Sequence, residues 1–350
     1  MPLKTTCIGA YPKPAYVPIT DWFQHGHDQE GYTDTVLRAW EKGQTEKAQE
    51  LMDKATAEVL ADQIECGIDI PTDGEVRREN YVHYQCRHFE GFDFQNLTRR
   101  VLRNGAYTSD LPTIRGPVRA QGEHVLVRDW QIAQAASDGR PVKITLPGPM
   151  TISDTTADAF YENPAKLAVD LAAALNSEVR ALADAGCRYI QIDEPIFARK
   201  PDEALDYGIA ALEQVFDGVP GSVTRVMHMC CGYPNHLDDE DYPKADPDAY
   251  VQIARNVDGM VDQVSIEDAH RHNPGRLFEM FETSTLIVGF VRVASSRLES
   301  VEEISARMAE VLEHIPADRL IAAPDCGLGF LGRDLAMAKL KALSEAARAA

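Results

Sequence analysis

A (β/α)8 TIM barrel, an α/β fold, is the architecture this sequence predicts, on three observations. Short β-rich runs alternate with longer amphipathic stretches, the pattern of repeated βα units on a parallel sheet. The runs number eight, and eight consecutive parallel strands with right-handed crossovers close into a barrel more naturally than they build an open sheet. A doubly wound sheet is the competing architecture, and its Gly-rich dinucleotide loop is missing here.

The strands are expected at residues 5–10, 68–75, 142–148, 189–195, 222–230, 263–268, 285–293 and 320–327. Between them, EKAQELMDKATAEVLADQIECG, PAKLAVDLAAALNSEVRALADAG and SVEEISARMAEVLEHI carry apolar residues at three- and four-residue spacing, as outer helices should. Residues 80–138 do not read as a simple connection. Their FEGFDF and RRVLRNGAY pieces suggest a hairpin inserted after the second strand. An acidic, Pro-rich stretch at 234–250 follows the fifth strand as an extended loop, where it would form part of a lid at the barrel mouth. No linker divides the chain, so residues 1–350 are read as one catalytic domain.

Composition narrows the function. A formal net charge of −20 over 350 residues repels phosphate backbones and anionic membranes, and no basic stripe appears, so nucleic acid is not an expected partner. No apolar run is long enough to span a bilayer. The start, MPLKTTCIGAYPKP, lacks the apolar core of a secretory signal, and seven cysteines without framework spacing read as reduced. A cytoplasmic location is expected.

Chemistry gathers at the C-terminal ends of the expected strands, where barrels of this type build their sites. Asp73 and Glu75 end the second, Asp193 and Glu194 the fourth, His228 and Cys230 the fifth, Glu267 the sixth, Asp325 and Cys326 the eighth. His228 and Cys230, two apart on a strand, face the same way and can grip one ion. Taken singly, a buried His or Cys is more often packing than a ligand. Together with Glu267 and Cys326 they form a set suited to tetrahedral Zn2+, and two thiolates exclude magnesium or calcium. Such a metal would keep a substrate thiolate nucleophilic at neutral pH, provided that Glu267 leaves to make room. Glu75, Asp193 and Glu194 would suit a substrate ammonium. They would equally suit helix capping or pairing with Arg77 or Arg78. Cys231 points away from the ligand face and is expected in the core; His83, His88, His236, His270 and His272 are scattered singly.

At these residues the sequence resembles the cobalamin-independent methionine synthases, specifically their catalytic barrel. The likeness covers essentially the whole chain. It runs through IGAYPKP, DGEVRREN, LPGPMTISDT, QIDEP, HMC, VSIE and PDCGL. The resemblance implies zinc on His228, Cys230, Glu267 and Cys326, and homocysteine held by a backbone group of Ile8 together with Glu75 and Asp193. It implies a short, core type of the family, beginning directly at the catalytic barrel. Several positions depart from the family's pattern. Ala10 replaces a Ser, Thr155 a Trp and Arg199 a folate-contacting Glu, and the D-x-H-S-P-R segment reads Arg292-Val293-Ala294-Ser295-Ser296-Arg297. The Asp and His that pass a proton to the leaving group are therefore absent, and Arg292 stands where the Asp would be.

The activity expected is zinc-dependent transfer of a methyl group to the thiolate of homocysteine, forming methionine. The donor is methyl-folate or a methyl-corrinoid, possible partners including a donor-supplying protein. The missing proton donors weigh toward a donor other than polyglutamyl folate, or toward a proton delivered from elsewhere. Three alternatives stand beside this reading: alkyl transfer to another small thiol, as in epoxyalkane:coenzyme M transferases; a metal-free barrel like uroporphyrinogen decarboxylase; and a closed, structural zinc in a binding module.

Overall fold

The computed structural model describes residues 2–19, 40–102, 107–232, 236–239 and 244–350. Its strands, in chain order, are β1 (Lys4–Thr5), β2 (Phe89–Leu102), β3 (Tyr107–Ala120), β4 (Lys143–Pro147), β5 (Ala157–Asp158), β6 (Tyr189–Asp193), β7 (Thr224–Met229), β8 (Gln263–Ile266), β9 (Thr285–Val291) and β10 (Leu320–Pro324). Seven of them form one parallel sheet in the order β1-β10-β9-β8-β7-β6-β4. The sheet curls until its two edges meet across residues 70–72, through the parallel bridges Thr6 to Ile70 and Thr72 to Lys143. The result is the expected (β/α)8 barrel.

All eight expected runs occupy barrel positions, but the second is not a regular strand. Pro71 has no N–H to donate to a ladder. Isolated bonds remain, among them those from Ile70 N to Thr5 O at 3.1 Å and from Lys143 N to Pro71 O at 2.9 Å. The outer helix Glu46–Glu65 supplies what a longer ladder would have provided. Its buried Gln63 accepts from Thr72 N at 2.9 Å and donates to Thr72 O at 3.0 Å. Beyond Thr72 the chain turns sharply, with Gly74 at φ 68° and Glu75 at φ 56°. The other strands also stop short of the expected ends, because the chain leaves the ladder to aim side chains across the mouth. At β10 the departure coincides with a register shift between Ala323 and Pro324.

Strands β4 and β10 are buried at every position, as befits a sheet covered by helices outside and filled by side chains inside. Ile8, Val226, Ile287, Ile321 and Ala323 pack together as a separate apolar cluster. The outer helices begin on side chains that cap them. Thr45 accepts from Ala48 N, Asn163 from Lys166 N just before Pro164, and Ser300 forms a reciprocal box with Glu303. No helix among the described residues is long and apolar enough to cross a membrane.

The segment expected as an insertion over 80–138 divides in two. β2 and β3 form an antiparallel hairpin, extended by a short parallel pairing of β3 with β5. The helix Val125–Ala135 then packs against the helices Glu46–Glu65 and Pro164–Asp184, as a crossover helix of the barrel itself. Amphipathic pattern alone did not separate that helix from the excursion before it. The expected lid over 234–250 falls partly outside the described residues. Its end is ordered, with Ala245 N bonded to Cys231 O at 2.8 Å and the helix Ala249–Val257 following.

One contact joins the barrel wall to its mouth. At Gly289 on β9 an added Cβ would meet the Asp325 carboxylate and lie 2.5 Å from the Asp325 Cα. Backbone cannot be moved aside by a rotamer change. Gly289→Ala is expected to cost about 1–3 kcal/mol, the usual range for overpacking, measured as a lowered denaturant midpoint. An unchanged midpoint would show that β9 and β10 can separate freely at this level.

Candidate active site

Parallel register sets three polar residues at one level: Asp193 on β6 lies opposite His228 on β7, and His228 opposite Ser265 on β8. The His228 Nδ1 is 2.9 Å from the Ser265 hydroxyl, which fixes the ring and leaves Nε2 buried with no hydrogen-bond partner. Burial, reinforced by Lys143, pushes His228 down to about 3, so the imidazole is neutral and its nitrogen has a lone pair to offer.

The ligand atoms of His228, Cys230 and Cys326 all lie within 4.8 Å of one another. The Cys230 thiol donates to Glu267 Oε1 at 3.0 Å, while Glu267 Oε2 is buried without a partner. Burial, then the neighbouring Cys230, raises the Glu267 carboxyl well above its ordinary range. Two soft thiols, one neutral imidazole and one carboxyl thus converge, with two buried polar atoms unsatisfied. A metal ion is what such a donor set fits. Tyr250, on the helix after the acidic loop, pins this corner: its hydroxyl donates to Met229 O at 2.6 Å and accepts from Glu267 N at 3.2 Å. Nothing in the sequence marked Tyr250 for this, beyond an aromatic side chain in a polar stretch. Cys231 is buried in the core, as expected.

Beside the cluster lies a carboxylate pocket. Glu75 Oε1 accepts from Thr145 Oγ1 at 2.7 Å and stands 3.6 Å from Arg78. Gly9 permits this approach, since a Cβ there would lie 2.6 Å from the same oxygen. Gln191 Nε2 donates both to Ile8 O at 2.9 Å and to Asp193 Oδ1 at 2.7 Å, tying the chain that follows β1 to β6. Ile8, Glu75 and Asp193 are therefore drawn together by Gln191 and Thr145. Sequence reasoning missed both, although each sits two residues before a strand-end position and so faces inward with it. Tyr81 stands close enough for Asp193, Cys230 and Glu75 to raise its hydroxyl, after burial.

Glu194 is placed differently. Its oxygens accept from Met150 N at 2.9 Å, Thr151 N at 3.0 Å and Thr151 Oγ1 at 2.8 Å, so it caps the short helix Pro149–Asp154. The sequence reading weighed a cap on the helix that follows Glu194; the helix that it caps is instead the one after β4. Arg292 donates from Nε to Ala269 O at 3.1 Å, bridging the loops after β8 and β9. Of the scattered histidines, His83 is buried with Nε2 3.1 Å from Thr155 O, while His236 and His272 are exposed.

The chain matches the family model for the cobalamin-independent synthase catalytic domain over residues 3–349. It belongs to this family. Methionine synthases of Sulfolobus acidocaldarius and Saccharolobus solfataricus are each 31% identical to it, over 97% and 98% of this chain and 89% and 93% of theirs. A solved structure of a B12-independent methionine synthase from Shewanella sp. W3-18-1, in complex with selenomethionine, superimposes with a TM-score of 0.85 at 31% identity, over 99% of this chain and 97% of that one. As a member of the cobalamin-independent synthase family, the chain is an enzyme of the methyltransferase type.

Burial, then the Glu75 carboxylate, pushes Asp193 up to about 8. An acid raised above its unfolded value of roughly 4 favours the fold fully below that pH, and the contribution is lost as pH rises through the folded value. In protein free of metal and acceptor, Asp193→Asn is expected to gain stability relative to wild type between pH about 4 and about 8, then level off. Denaturant midpoints across that range test this. A constant difference would mean that Asp193 titrates normally.

Proposed function

We propose that this enzyme transfers a methyl group to the thiol of homocysteine, giving methionine, with zinc held by His228, Cys230, Glu267 and Cys326. One observation carries the reading: three ligand atoms within 4.8 Å and a fourth group 3.0 Å away, at a barrel mouth that also holds Glu75 and Asp193. Relatives named methionine synthases, and one such structure in complex with selenomethionine, support it.

Zinc bound there supplies Lewis-acid chemistry that lowers the pKa of an incoming thiol. The protein's own residues do the rest. Ser265 fixes the His228 ring, so that Nε2 is aimed at the cluster. Glu267, with one oxygen lacking a partner, would complete the set of residues that hold the ion. Glu75 and Asp193 receive the acceptor's ammonium, whose positive charge offsets the burial and the Glu75 repulsion that otherwise raise Asp193. Ile8 offers its backbone at the same pocket, its carbonyl oriented by Gln191. A sulfonate acceptor would find these carboxylates repulsive, which disfavours coenzyme M chemistry. The donor fitting a cobalamin-independent family is an N-methyl reduced folate, and the comparisons lend a corrinoid partner no support. The reading includes one catalytic domain over residues 1–350 and a reducing, cytoplasmic setting that keeps the ligand thiols free.

Zinc-edge X-ray absorption with and without homocysteine is the decisive experiment. An added sulfur in the metal shell is expected on addition of homocysteine, and an unchanged shell would point to another thiol or a structural metal. Cys326→Ser should lose zinc and activity together, beyond the roughly 10- to 100-fold typical of outer partners. Full metal stoichiometry in that variant would remove Cys326 from the site. Asp193→Asn should keep zinc and raise the KM for homocysteine about 10- to 100-fold, the worth of one charge-assisted hydrogen bond of roughly 1.5–3 kcal/mol.

A further inference from the structure

A cavity of about 320 Å³ lies where the outer helices Glu46–Glu65 and Val125–Ala135 begin, and no residue of the candidate active site lines it. Two guanidinium groups do. Arg77 follows the turn that carries Glu75, and it goes the opposite way from its neighbour. Arg78 donates to Thr145 Oγ1 at 2.9 Å inside the barrel, whereas Arg77 Nη1 donates to Gln49 Oε1 at 2.6 Å and its Nη2 pairs with Asp53. Arg77 Nε stands 3.4 Å from Asp129 Oδ1 without a hydrogen bond to it. The side chain of Arg77 is therefore fixed, buried and short of acceptors on one edge.

Arg128 is exposed and has no ion pair or hydrogen bond among the described residues. Burial lowers Arg77, Asp129 raises it and Arg128 lowers it again, so two like charges stand near one another at the cavity. Such a pair favours an anion that both can meet. Glu123, the one carboxylate of the lining, is exposed and faces His88 at 3.7 Å. The remaining wall is largely apolar. Met52 and Tyr84 are buried, and the Tyr84 hydroxyl is engaged by Asp129 Oδ2 at 2.9 Å, which leaves the ring for contact. Trp40 completes the wall, steadied by Arg87 over its ring at 4.7 Å.

We propose that this cavity binds a small aromatic carboxylate, its charge against Arg77 and Arg128 and its ring against Trp40, Met52 and Tyr84. The volume lies at the lower end of the roughly 300–1,000 Å³ usual for ligand sites, room for one or two fused rings with a short acidic arm. The site is independent of the methyl-transfer reading, because none of its residues holds the acceptor or the metal ion there.

Calorimetry on the full chain with benzoate and indole-3-acetate tests the site, with benzamide and indole-3-acetamide as uncharged isosteres. At least one acid is expected to bind once per chain, and its amide about 10- to 100-fold more weakly, the worth of one charge-assisted hydrogen bond. Arg128→Gln, a change on an exposed side chain, should weaken the acid by a similar factor and leave the amide nearly unaffected, while Arg128→Lys should keep most of the affinity. Val125→Trp, which fills the cavity, should abolish binding of both. A denaturant midpoint equal to wild type shows that each variant is folded. No binding by either acid, equal affinity for acid and amide, or wild-type affinity for the acid in Arg128→Gln would each overturn the assignment. Inorganic phosphate that displaces the acid at equal concentration would overturn it as well, since the aromatic wall would then contribute nothing.

Discussion

Asp193, His228 and Ser265 stand at one level because β6, β7 and β8 are locked in parallel register, and almost everything at the mouth depends on that lock. A slip of one residue would turn His228 and Asp193 out of the barrel and put Met227 and Ile192 in their places. The register is in turn held by closure. Where Pro71 prevents a full ladder, Gln63 from an outer helix takes over both backbone groups of Thr72, and the ring joins through two bridges. The weakest position of the barrel is thus the one from which Glu75 departs, at a positive φ that few non-glycine residues adopt.

Burial of charge is the second theme. Glu75, Asp193, Glu194, Glu267 and Asp325 are all at most 8% exposed, and each is managed in its own way. Glu194 and Asp325 are satisfied by backbone N–H groups, which fixes loops in place. Glu75 is met by Thr145 and Arg78. Asp193 has Gln191 and Glu267 has Cys230 as hydrogen-bond partner, and burial raises both, as it raises Glu194. Asp193 and Glu267 are the groups for which the proposed function supplies partners, an ammonium and a metal ion. Lys143 fits the same account. Its ammonium is fully buried without a hydrogen-bond partner, pushed down to about 8 by burial, and its charge acts on both Asp193 and His228. His228 Nε2 and Glu267 Oε2 are buried atoms without a hydrogen-bond partner that a metal ion would complete.

The convergence of His228, Cys230 and Cys326 was legible in the sequence because its signals lie at strand ends. HMC places two donors on one face of a strand, and Cys and Glu at other strand ends point to the same mouth once the barrel is assumed. The eight strands were legible through hydrophobic runs of the right length. Their ends were not, because leaving a ladder depends on the neighbour's register, as at Ala323 and Pro324. The helix Val125–Ala135 was merged with the hairpin before it for a related reason: only packing against the helices Glu46–Glu65 and Pro164–Asp184 distinguishes a crossover from an excursion.

By itself, then, the sequence determined the class of fold, the donor atoms available and the ring on which they sit, since these follow from residue type and from strand and helix periods. Tertiary structure alone decided which side chains meet. Gln191, which also holds Asp193, reaches Ile8 over 183 positions of chain, Thr145 reaches Glu75 over 70, and Asp325 meets His270 over 55. Glu194 serves the end of the helix after β4 because Thr151 and Met150 lie where its carboxylate points. Such pairings depend on strand register and barrel closure, which bring distant residues within 3 Å without leaving a pattern in the order of the residues.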